Sequence, residues 1–306
     1  MLRSIQFTRP CFVTVLSVCL LFTAVDVCGQ GKDKGKSQQP TREICITFDE
    51  LPVARSFGEV DRQAINYLLL DALKRHKARA LGFVIGEQIE TSFDILGEWL
   101  NDGHKLGSMT NSGQDHNQLG PDQFVPDIRR GHEGIEQMLS GFGQKKRYFR
   151  FPYLHYGSTV EQRRPAKTYL DENKIVTVPA TVVPEDYLYN LTLSKLGKTP
   201  DSAKFELLLN DYINHVIDEI ERVDRLAKVM TGKRVRHILL LRANRLNAVL
   251  LDELLMALEA EGFKFIDIDR AMQDKVFDLP EAYYGLKGLG YLDMVQQSNP
   301  DLLPAE

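Results

Sequence analysis

A repeated alternation of short apolar runs with longer amphipathic stretches constrains this chain more than any other feature. Ile44-Cys45-Ile46-Thr47-Phe48 and Ala80-Leu81-Gly82-Phe83-Val84-Ile85 are bounded by polar residues or glycine, and they have the length and near-continuous apolarity of strands covered on both faces. Residues 148–152, 175–178, 237–241 and 263–268 repeat the pattern, while 64–76, 93–101, 124–139, 205–230 and 250–261 carry apolar residues at helical spacing. Strand followed by helix, repeated, specifies a parallel α/β fold of about seven units. Periodicity alone fits a barrel and a doubly wound sheet equally. The chain after about residue 273, with Tyr283, Tyr284 and several glycines but no clear period, is expected to pack over the domain or one end of it.

The compartment is read from the N-terminus. Arg3 and Arg9 precede an uncharged apolar run over residues 11–25, closed by Asp26. That run is shorter than the roughly 20 residues of a spanning helix, and Val27-Cys28-Gly29 supplies small residues for cleavage, so residues 1–29 read as a secretory signal peptide. An uncleaved anchor is one alternative. A lipidated Cys28 is another, to which Asp26-Val27 is a poor match. Of the four cysteines only Cys45 lies beyond this segment, so the exported chain has no internal disulfide and depends on a packed core. Residues 30–42, polar and Pro/Gly/Lys-rich, read as a flexible linker, residues 43–275 as the folded domain and 276–306 as a C-terminal extension. The location expected is periplasmic or secreted, with no membrane span after cleavage. A balance of 38 Lys+Arg against 42 Asp+Glu argues against nucleic acid as a partner, and the oligomeric state stays open.

In either α/β architecture the chemistry sits at the carboxyl ends of the strands. The first strand runs out into Thr47-Phe48-Asp49-Glu50-Leu51-Pro52, and the fourth into Arg150-Phe151-Pro152-Tyr153-Leu154-His155-Tyr156-Gly157. Each string alone is compatible with helix capping or a solvated loop. In this order and spacing they resemble the NodB-homology polysaccharide deacetylases, carbohydrate esterase family 4, over about residues 44–274. Ile238-Leu239-Leu240-Leu241-Arg242-Ala243-Asn244-Arg245-Leu246-Asn247-Ala248 is similar, with one substitution, to the L-L-L-H-A-N-x-L-N-A string of an exported bacterial subgroup. Residues 103–113, G-H-K-L-G-S-M-T-N-S-G, are similar to its G-H-E-x-G-N-H-T-x-S-H.

The resemblance implies a distorted seven-stranded (β/α) barrel and metal-dependent removal of acetyl groups from amino sugars or xylan, usually with zinc. A catalytic zinc needs about three protein ligands and an open position for water. Asp49 matches the base, and Arg150 matches its partner. Glu50 stands where the family has a metal-binding aspartate, while Met109 and Gly113 stand in place of the two histidine ligands. Glycine offers no side-chain donor, and a thioether is too soft and uncharged for zinc beside carboxylates. Arg242 replaces the acid histidine, and a guanidinium holds its proton near neutral pH. Val183 replaces the aspartate that supports that histidine, whereas Pro152, Tyr153, His155, Asp186 and Tyr187 match substrate-wall positions.

The expectation is therefore an exported deacetylase-like pseudoenzyme that keeps the carbohydrate-binding barrel, with no cofactor and with peptidoglycan or another N-acetylated polysaccharide as partner. One alternative is a C–N hydrolase with a rearranged site of Asp49, Glu50 and His155 around zinc or another divalent metal, and a second is an envelope binding or scaffold protein. Arg242 is expected to enter the metal position and pair with Asp49 and Glu50. His116 reads as a solvated loop histidine, and His76, His104, His132, His215 and His237 as structural. The sequon Asn190-Leu191-Thr192 carries little weight, and the basic, glycine-bearing residues 141–147 read as a solvated turn.

Overall fold

A computed structural model of the chain describes residues 42–54, 61–197 and 202–300. The expected signal peptide and nearly all of the linker lie outside them. Seven parallel strands are present, β1 (Arg42–Leu51), β2 (Ala80–Val84), β3 (Lys105–Ser108), β4 (Tyr148–Phe149), β5 (Val176–Thr177), β6 (His237–Arg242) and β7 (Phe263–Phe265). Around them run α1 (Arg62–Arg75), α2 (Phe93–Asn101), α3 (Pro121–Gly141), α4 (Val160–Glu172), α5 (Asp186–Lys195), α6 (Ser202–Thr231), α7 (Arg245–Ala260), α8 (Ile268–Ala271) and α9 (Tyr291–Ser298). The order β5-β4-β3-β2-β1-β6, with β7 also pairing the start of β1, curls on itself. Thr181 and Val182 donate to the Ile238 carbonyl, and Leu240 donates back to Val182, so the chain leaving β5 closes the ring against β6. The result is the distorted barrel expected from the sequence.

Alternation along β1 assigns the two sides of the wall. Ile44, Ile46 and Phe48 pack outward among the helices, with Leu69, Trp99 and Leu251 in the same cluster. Cys45 packs inward with Leu81, Phe83, Tyr148 and Ile238, and Thr47 and Asp49 share its side of the strand. Three of the helices start on side-chain caps: Asp61 accepts from Ala64, Thr159 from Gln162 and Asn244 from Asn247.

Six strands expected from the apolar runs are present. The seventh, Lys105-Leu106-Gly107-Ser108, has too few apolar residues to read as a strand, yet the ring shields three of its four residues completely. Helices α4 and α5 also escape the periodicity, α4 because only Ala166 and Leu170 of its thirteen residues are buried. Beyond the expected boundary at 275, the described residues pack back onto the barrel. Tyr291, Met294 and Val295 of α9 join a core with Phe149, Phe151 and Leu170, and the Tyr291 amide donates to Ala180 at 2.7 Å.

Helix α3 rests directly on the turn after β3. A Cβ at Gly131 would lie 2.3 Å from the Thr110 carbonyl carbon and 2.5 Å from the Asn111 nitrogen, both backbone atoms that cannot rotate away. Gly131→Ala should therefore lower stability by about 1–3 kcal/mol in urea denaturation; an unchanged midpoint would mean that α3 does not hold the turn.

Candidate functional site

The polar residues of the barrel converge at the carboxyl ends of β1, β4 and β6. In the β1–β6 ladder Asp49 faces Arg242 across the strands. Two adjacent residues of a regular strand point to opposite faces, but the register with β2 breaks between Phe48 and Leu51, and Glu50 adopts a left-handed φ of 63°. This bulge brings both carboxylates to the mouth, where each meets an arginine.

Arg150 is fully buried and fills the barrel beneath the mouth. Its guanidinium donates to Asp49 Oδ1 at 2.7 Å, Thr47 Oγ1 at 2.7 Å, the Val178 carbonyl at 3.1 Å and the Pro179 carbonyl at 3.3 Å. Phe83 lies 4.3 Å below it in cation–π contact. Burial pushes the Asp49 carboxyl above its ordinary range, against the pull of Arg150 and then Arg242.

Arg242 forms a second clamp, with a different partner from the one expected. Its Nη1 donates to Asp186 Oδ1 at 2.6 Å, its amide to Asp186 Oδ2 at 2.7 Å, and its Nε lies 3.4 Å from Glu50 Oε1. Pairing with Glu50 holds, but direct pairing with Asp49 does not, because Arg150 already takes that carboxylate. Burial opposes the Arg242 charge, and Asp186, Asp49 and Glu50 outweigh it, so its pKa lies above the usual arginine value. Asp186, expected on the substrate wall, is completely enclosed and accepts also from Asn244 at 3.3 Å and Asn247 at 2.5 Å. It is a positioning residue. The two asparagines of the 238–248 string thus hold Asp186 while Asn244 caps α7, roles that its apolar spacing could not reveal.

Pro152 is likewise buried, its carbonyl accepting from the His155 amide at 3.1 Å, and presents no wall. Tyr153 and Tyr187 are 48% and 47% exposed, with the Tyr187 ring 5.1 Å from the Arg242 guanidinium carbon. His155 lies 5.9 Å from Tyr153 and 2.7 Å from Asp115 Oδ1. Met109 packs among Phe83, Leu81 and Tyr148. Gly113 holds φ of +65°, and a Cβ there would meet Ile85 Cδ1 at 3.0 Å. Among the described residues no three of His, Cys, Asp and Glu group so as to hold a metal ion.

His116 is not solvated. It is completely buried, stacked on Phe124 at 3.9 Å between centroids, and burial lowers its pKa to about 4. His104 is also buried, with burial lowering it to about 4, and accepts from the Ala80 amide. His76 bonds Asp252 and Glu259, His215 bonds the Pro184 carbonyl, and His237 bonds Asp224. His132 is buried on α3.

The polysaccharide deacetylase family model matches residues 36–169. The chain is 29% identical over 111 residues to a peptidoglycan-N-acetylglucosamine deacetylase of Bacillus cereus, a match covering 36% of this chain and 36% of that protein, so it spans little more than a third of that relative. Its fold is similar to a carbohydrate esterase family 4 pseudoenzyme from Bacillus anthracis, with TM-score 0.54 at 15% identity over 76% of this chain and 66% of that one. It is also similar to a peptidoglycan N-acetylglucosamine deacetylase, with TM-score 0.53 at 19% identity over 75% of this chain and 87% of the other. Over residues 36–169 the chain is similar to the polysaccharide deacetylase family.

Two stability experiments follow from this geometry. Arg150→Met leaves Asp49 buried without its partner and should cost about 3–5 kcal/mol. Burial then raises the Asp49 pKa further, so the deficit should shrink as pH falls from 7 towards 4; a pH-independent deficit would exclude the charge as its cause. His116 and His104 have folded pKa values below the unfolded value, so the unfolded chain binds more protons between about pH 6.5 and 4 and stability falls across that window on acidification. His116→Phe should flatten this acid limb, measured as urea midpoints against pH.

Proposed function

We propose that this chain is an exported deacetylase-like protein that binds N-acetylated glycan, peptidoglycan or a related polymer, at the barrel mouth without hydrolysing it. The observation that carries the reading is the Arg242 clamp. A guanidinium held by Asp186 and Glu50 occupies the position where the family resemblance calls for the acid histidine, next to the carboxylate that would bind the metal. Zinc fits these residues poorly: Glu50 is committed to Arg242, Met109 is turned into the apolar interior, and Gly113 offers no donor. A guanidinium also repels a cation and cannot donate its proton near neutral pH.

Hydrolysis from a rearranged set of Asp49, Glu50 and His155 has less support. Each is engaged by its own partner, Arg150, Arg242 and Asp115 respectively, and the arginines would have to be displaced for the three to converge. Glycan binding is supported by Tyr153 and Tyr187, two half-exposed aromatic faces of the kind that cover sugar rings. Their positions after β4 and at the start of α5 put both at the carboxyl ends of strands.

Zinc, cobalt and nickel stoichiometry of residues 30–306 after dialysis against buffered metal should be near zero, and acetate release from N-acetylglucosamine oligomers should be absent. A stoichiometry near one with acetate release would replace this reading with a hydrolase. Tyr153→Ala and Tyr187→Ala should each weaken binding of soluble peptidoglycan fragments about tenfold, the loss of about 1.4 kcal/mol of apolar burial. Wild-type protein that binds no glycan would leave a scaffold role instead.

A further inference from the structure

At the other end of the barrel, the connections into alternate strands share one charge. Residues 74–79 before β2, 145–147 before β4 and 233–236 before β6 each contain three or more Lys or Arg and no Asp or Glu. Parallel strands begin at one end, so these three basic turns are spread around a single face. The connections leaving the strands show no such run, and the whole chain is acidic by four charges; between the basic turns Asp102, Glu172 and Glu261 precede β3, β5 and β7 at the same end.

Part of it is neutralised. Arg75 pairs with Asp71 and Asp252, Lys146 with Asp269, Arg147 with Glu136, and Arg236 with Glu43. Lys77, Lys145 and Lys233, with Lys174, Lys264 and Lys275 beside them, are exposed and make no ion pair among the described residues. Phe142, 42% exposed at the end of α3, stands between Gly141 and Gly143 and immediately before the Lys145-Lys146-Arg147 run.

We propose that this face docks on an anionic phospholipid bilayer, with Phe142 entering the headgroup layer and the barrel mouth directed away from the lipid. Exposed lysines around an exposed aromatic are the pattern of interfacial attachment, and each lysine near an anionic surface adds a modest attraction that sums over the face. No helix of the described residues is long and apolar enough to cross a membrane, so attachment by this part of the chain is peripheral and salt-sensitive. A bilayer suits a broad face that offers an aromatic for insertion better than a single polyanion strand does.

The experiment is co-sedimentation of residues 30–306 with vesicles of 30% phosphatidylglycerol in phosphatidylcholine, against pure phosphatidylcholine. Binding is expected only to the anionic vesicles and should disappear in about 0.5 M NaCl. The triple variant Lys145→Glu, Lys233→Glu, Lys275→Glu should lose about a hundredfold in affinity with an unchanged urea midpoint. A matched reversal at the mouth end, Arg62→Glu, Arg164→Glu, Lys287→Glu, should change it less than about twofold. Equal loss in the two triple variants, equal uptake by neutral vesicles, or binding to soluble polyphosphate with none to vesicles would overturn the proposal.

Discussion

The structure depends on one buried cation. Arg150 fills the upper interior of the barrel and ties β1, through Thr47 and Asp49, to the chain leaving β5, through the carbonyls of Val178 and Pro179. A fully buried guanidinium is tolerated only when its donors are satisfied and a counter-charge is close. Its reach therefore fixes where the carboxyl end of β1 sits relative to β4 and β5. The bulge at Glu50 follows from the same constraint, because Asp49 is committed inward and the next residue must leave the strand without entering the helical layer.

The fold was legible because burial on both faces of a parallel sheet leaves a mark in sequence, an uninterrupted apolar run. Where that mark fails, the cause is physical. β3 carries Lys105 and Gly107, the latter so close to the Tyr148 carbonyl that a Cβ would lie 2.8 Å from it, so proximity takes the place of apolar bulk. The site was legible in part. The pairing of Asp49 with Arg150 is implied by the family resemblance, since either strand exit alone reads equally as a cap or a solvated loop, and the structure joins the two at 2.7 Å. Which carboxylate Arg242 takes could not be read, because the choice turns on Arg150 already holding Asp49 and on Asn244 and Asn247 fixing Asp186. His116 was misread because a polar residue in a loop between glycines reads as solvated, whereas Phe124 and Phe151 arrive from distant elements to cover it.

The charges at the mouth account for why its substitutions belong together. Asp49, Glu50 and Asp186 place three carboxylates around the two arginines, two of them almost completely buried. Such a group is stable only with positive charge among it, which a divalent metal supplies in a catalytic site. Here Arg150 serves Asp49, and Arg242 bridges Asp186 and Glu50. A neutral side chain at 242 would leave the buried carboxylate of Asp186 with amide donors alone, so Arg242 supplies the positive charge that this carboxylate needs. The consequence for function is direct. A guanidinium satisfies carboxylates by holding them in fixed geometry, and on the proposed reading this makes the mouth a rigid floor beneath the exposed faces of Tyr153 and Tyr187.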